Sequence, residues 1–78
     1  MPPASRRRLV LCLHNEGYEA SLERSKIYPV IPDRVAAAHQ QLRIVDESGD
    51  DYLYPASMFA PIQLPRALRR AVLAVQAG

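Results

Sequence analysis

A run of five apolar residues, Leu9 to Leu13, is as long as any in this chain, and that brevity constrains the fold more than any other feature. Spanning a bilayer takes roughly 20 apolar residues in a row. Five is the length of a β-strand. Turn signals interrupt the sequence repeatedly, at "NEG" (15–17), Pro32-Asp33, "ESGD" (47–50) and Pro55. Short apolar segments between such breaks describe a small all-β domain.

The segments can be taken in order. Residues 7–14 read as a first strand, with Leu9, Leu11 and Leu13 on one face and Val10 and Cys12 on the other. It is therefore buried on both sides at its centre. Gly17 supplies a positive φ for the turn that follows. "YEASLERS" has no clean period and reads as a long loop that partly pairs. "KIYPVI", 26–31, is rich in β-branched and aromatic residues and makes a second strand. Its Pro29 calls for an edge or a bulge at that point. "RVAAAHQ", 34–40, fits either a loop or a helical turn or two, since three alanines favour helix. "QLRIVD", 41–46, alternates as a third strand. "ESGD" then forms a hairpin loop with Gly49 at positive φ. "DYLYP", 51–55, is the fourth strand, "ASMF" a short turn and "APIQ", 60–63, the fifth. From Leu64 the period changes. Leu64, Leu68, Val72 and Val75 mark the apolar face of a helix over 64–76, with Pro65 in its first turn. Arg66, Arg69 and Arg70 lie away from that face. The expected architecture is mainly β. It is a single domain with a five-stranded SH3-like barrel over 6–63, a C-terminal α-helix and a disordered lead at 1–5.

With 78 residues, such a domain has a modest core and a stability on the order of 5 kcal/mol. The basic residues before Leu9 give the start a faint likeness to a signal peptide. The apolar run is too short for one and ends in His14-Asn15. A lone Cys12 has no internal disulfide partner, which fits a reducing compartment, and a cytoplasmic location is expected. Inside "LVLCLH" it reads as a small buried hydrophobe. The net charge of +2 is unevenly spread. All eight acids fall between Glu16 and Asp51, with only Arg24, Lys26, Arg34 and Arg43 among them, a local charge of −4. Arg6, Arg7, Arg8, Arg66, Arg69 and Arg70 give the ends +6. Acidic loops and basic ends suit docking to a charged partner, or to another copy, better than a uniform nucleic-acid surface.

"NEGYEASLERSKIYPVIPD" and "LRIVDESGDDYLYPASMF" together resemble a group of small uncharacterised bacterial proteins. Their shared pattern runs N-x-G-Y-x-x-S-L, then K-x-Y-x-V, then DESG-[DE]-DYLYP with a following Phe. The resemblance covers roughly residues 12–65. It implies a compact SH3-like β domain with no assigned activity and no catalytic residues.

Catalytic and metal sets are weak in the sequence. Cys12 and His14 are neighbours on one strand face, but nothing orients His14 and no oxyanion loop is evident. No enzymatic activity is expected. One Cys and two scattered His do not make a zinc site. Asp46, Glu47, Asp50 and Asp51 lack the alternate spacing and terminal Glu of a calcium loop. No metal or cofactor is expected. The aromatics offer more. In SH3 domains, tyrosines of the long first loop and of the fourth strand line a groove for proline-rich peptides. Tyr18 and Tyr54 hold comparable places, Pro55 follows, and Glu16 and Glu19 lie in the first loop. The tryptophan of such grooves is missing, and the tyrosines equally suit caps on a small core. The expectation is a non-enzymatic interaction module with a protein or peptide partner, able to form a homodimer. The alternative is a nucleic-acid-associated accessory protein using Arg6, Arg7, Arg8, Arg66, Arg69 and Arg70 on phosphates.

Overall fold

The computed structural model describes residues 8–77, and the backbone alone for residues 75–77. The expected lead at 1–5, and Arg6 and Arg7 of the basic end, lie outside the described residues. Five antiparallel strands form one sheet: β1 (Arg8–Cys12), β2 (Ile27–Ile31), β3 (Gln41–Val45), β4 (Asp51–Pro55) and β5 (Phe59–Ile62), in the order β4-β3-β2-β1-β5. A short helix α1 (Arg34–Ala38) joins β2 to β3, a 3₁₀ turn (Ala56–Met58) joins β4 to β5, and helix α2 (Arg66–Ala77) ends the chain. β1 therefore sits inside the sheet, paired on one side with β2 and on the other with β5. The strands fall within a residue or two of their expected positions. α1 resolves the ambiguity at 34–40 in favour of a helix. Asp33 caps it, its Oδ1 accepting the Ala36 N–H at 2.9 Å.

Strand alternation puts Val10, Cys12, Tyr28, Val30, Ile44, Tyr54 and Phe59 on one face, where they form the core with Met58 of the 3₁₀ turn and Leu22. Leu22 is completely buried, although it comes from the long segment between β1 and β2. That segment is an organised plug rather than a free loop. The Ser21 and Leu22 N–H groups both donate to the Tyr18 carbonyl, and Asn15 Nδ2 clasps the Leu22 carbonyl at 3.0 Å. On the opposite face Leu9 is registered against Pro29 and Ile62 and is buried. There α2 packs against β2.

Pro29 is accommodated as its chemistry requires. β3 pairs with β2 only from Val30 onward, so at Pro29 the strand has a sheet neighbour on β1 alone. A residue without an N–H is tolerated there.

Two expectations need correction. β1 ends at Cys12, so His14 lies beyond the strand and is exposed. The Cys12 thiol donates to the His14 carbonyl at 3.2 Å and not to its ring. In α2 the half-buried side chains are Arg69, Val72 and Leu73, while Leu68 is 53% exposed. The helix thus lies on the domain by a side that includes Arg69. Of the expected apolar stripe, Leu64 and Val72 are half-buried and Leu68 is exposed.

Candidate functional site

The acidic hairpin and the segment 15–25 build one structure. After β3, Asp46 turns the chain. Its Oδ1 accepts both the Ser48 N–H (2.9 Å) and the Ser48 hydroxyl (2.5 Å), and its N–H donates to the Asp50 carbonyl. Gly49 takes φ +87° as the turn demands. The other Asp46 oxygen accepts the Tyr54 hydroxyl at 2.6 Å, and that hydroxyl also lies 3.0 Å from Ser21 Oγ. Asp46 is the buried acid of the domain. Burial works to raise its pKa. The hydrogen bonds from Ser48 and Tyr54 outweigh it and hold the carboxyl below its ordinary value.

Glu47 repeats the device one residue later. Lys26 Nζ lies 2.8 Å from one oxygen and 2.6 Å from the other, and the Tyr28 hydroxyl donates at 2.5 Å. Lys26 and Tyr28 lower the Glu47 pKa in that order. The same Tyr28 oxygen accepts the Glu23 N–H at 2.7 Å, and the Glu47 N–H donates to the Ser21 carbonyl. Two tyrosines, two carboxylates and Ser21 thus fasten segment 15–25 to the hairpin. Further along, Arg43 bridges Asp33, by Nε and Nη2 at 2.9 and 2.8 Å, to Asp51, by Nη1 at 2.9 Å. Of the four acids in "DESGDD", three therefore hold the fold together. Among the described residues no three His, Cys, Asp or Glu side chains gather as a metal set.

The expected binding residues separate. Tyr18 and Tyr54 do meet, ring edge to ring face, with centroids 5.0 Å apart and planes at 83°. Tyr54, however, is only 4% exposed, so its ring is a floor that no ligand reaches. Tyr18 is 39% exposed and stands over it. Beside Tyr18, the Glu19 carboxylate accepts the Gly17 N–H at 3.1 Å, and Glu16 is exposed near His14, Oε1 to Nδ1 4.0 Å. Pro55, next to Tyr54 in the chain, is half-buried and registered opposite Gln41. Tyr52, on the same strand face as Tyr54, is 53% exposed. The basic residues gather at the other pole of the sheet. Arg8 and Arg69 line one cleft with Leu9, Pro61, Ile62 and Leu64. Arg66 and Arg70 are exposed.

What the sequence hid is the role of the acids. A Tyr–carboxylate bond joining positions 28 and 47, or 54 and 46, leaves no local signal. Compared with protein-family models, with curated proteins and with solved structures, the chain finds no match.

Proposed function

We propose that this chain is a small non-enzymatic interaction module, built as an SH3-like barrel, which binds a basic protein or peptide segment on the face carried by residues 15–25. Support for the barrel comes from the two edge strands. A flat five-stranded sheet would hold β4 and β5 about 19 Å apart at ~4.8 Å per strand. The Tyr54 and Phe59 rings, one from each, lie 6.3 Å apart, so the sheet curls strongly around its core. The order β4-β3-β2-β1-β5, with a 3₁₀ turn before the last strand, suits the same design.

One observation carries the functional reading. Tyr18 stands exposed on a rigid base, flanked by the acids Glu16 and Glu19, on a segment already fastened by Asp46 and Glu47. A preorganised aromatic gives contact area at little ordering cost, and the carboxylates orient a cationic partner. The test is a titration, followed by NMR, with an extended peptide carrying arginines and prolines. Shifts should centre on residues 15–25. Tyr18→Ala should weaken binding at least tenfold while leaving the thermal midpoint within a few degrees. Shifts spread evenly over the molecule, or equal binding by Tyr18→Ala, would remove the proposal. If an oligonucleotide binds instead, and its affinity drops steeply between about 50 and 200 mM salt, the accessory-protein alternative takes its place.

A further inference from the structure

The charges that were mixed along the sequence are sorted in space. Antiparallel pairing sets Arg8 next to the end of β2, Ile31 opposite Arg43, and Leu9 opposite Ile62. Hence the start of β1, the end of β2 with α1, and the end of β5 leading to α2 share one pole. That pole carries Arg8, Arg34, Arg66 and Arg69. The connections 13–26 and 46–50 share the opposite pole, with Glu16, Glu19, Glu23 and Asp50 on its surface. At the basic pole, Arg8 and Arg34 border a cleft of about 310 Å³ with an apolar floor of Val30, Ile31, Pro32, Ala37 and Leu42. The acid in that cleft, Asp33, is engaged by the Ala36 N–H and Arg43. Among the described residues neither Arg8 nor Arg34 has an ion-pair partner.

We infer that the partner of the acidic face is a second copy of this chain, docked head to tail. The acidic pole of one molecule, led by the half-exposed apolar side chains Leu13 and Tyr18, enters the arginine-bordered cleft of the next. The inference rests on the binding face proposed above and adds the identity of its ligand. The two surfaces match in both respects. Carboxylates meet the guanidinium groups of Arg8 and Arg34, which have no ion pair among the described residues, and apolar tips meet an apolar floor. No aromatic side chain lines the cleft, so it offers no stacking platform for bases. Such a heterologous contact, unless it closes into a ring, leaves a free cleft at one end of every assembly and a free acidic pole at the other. Association is therefore open-ended and weakened by salt.

Two variants test this. Arg8→Glu/Arg34→Glu turns the cleft acidic, and Glu16→Gln/Glu23→Gln neutralises the acidic pole, so the two altered surfaces do not attract each other and the carboxylates that fasten segment 15–25 are untouched. In sedimentation at low salt, the mass of the wild type should grow with concentration and fall back to the monomer in 0.3 M salt. Each variant alone should stay a monomer. Their equimolar mixture retains one intact pole from each and should stop at a dimer, twice the 8.7 kDa of one chain. Such a dimer also shows that both variants fold. A wild type that is monomeric at millimolar concentration in low salt overturns the inference. If that monomer still binds a basic peptide through Tyr18, the module proposal survives it. Association by either variant alone at the wild-type level overturns it too, as does an oligonucleotide that occupies the Arg8–Arg34 cleft while the protein stays monomeric.

Discussion

Tyr28 and Tyr54 are each more than core filling, because a phenol that spans the core can reach a carboxylate at its rim. Removing only the hydroxyl strands the acceptor. Tyr54→Phe leaves the buried Asp46 with one lone-pair set unpaired and should cost about 1–3 kcal/mol in urea unfolding. Tyr18→Phe should cost little, since the Tyr18 side chain has no hydroxyl partner to lose among those described. Cys12 gives a gentler result. Its thiol is 1% exposed and burial raises its pKa, so thiol reagents should label the folded protein far more slowly than a free cysteine. Cys12→Ser places a hydroxyl where the His14 carbonyl already accepts a bond. The loss should therefore lie near 1 kcal/mol, at the low end for a buried polar group. Rapid labelling with unchanged stability would show the residue is not in the core.

At the scale of elements, the join between segment 15–25 and the hairpin 46–50 depends on ionised carboxylates. Hydrogen bonds from Ser48 and Tyr54 hold the folded pKa of Asp46 below the ordinary carboxyl range, and those from Lys26 and Tyr28 do the same for Glu47. A depressed carboxyl stabilises the fold fully above its unfolded pKa and loses that contribution as pH falls through the folded value. The window is therefore below about pH 4. Hydrogen exchange at the Leu22 and Glu47 amides should quicken there before the β1–β2 ladder opens, and Glu47→Gln should show the faster exchange already at neutral pH. Because these acids are spent on tyrosines, lysine and arginine, millimolar calcium or magnesium should leave the NMR signals of residues 46–51 in place. The strands and the hairpin were legible in the sequence because alternation and Gly49 act locally. Two features were not. Leu22 enters the core from a segment with no period, held by contacts to residues more than twenty positions away. The end of α1 was blurred because Gln40 adopts φ +58°, a place where glycine would have announced the stop.

For the whole molecule, charge order was half legible. The tally of acids in the middle and arginines at the ends follows from composition, but only strand pairing turns it into two poles. The fold also brings Arg69 into one cleft with Leu9, which no count of residues foretells. α2 was legible as a helix from its period. Its seating was not, because a 12-residue helix can satisfy a sheet with either side when arginine stems cover apolar surface as well as leucines do.

One consequence follows from the place of β1 between β2 and β5. Synthesis delivers β1 some fifty residues before β5. While the chain is still emerging from the ribosome, β1 has β2 but keeps its other edge open, and Cys12 waits for Phe59. A fragment ending at residue 58 should therefore be unfolded, with dispersed amide signals appearing only once residues 59–62 are present. Until β5 is made, the nascent protein keeps a hydrophobic strand edge on offer. Its exposure to proteases and chaperones over that interval is set less by stability than by how quickly β5 follows β1.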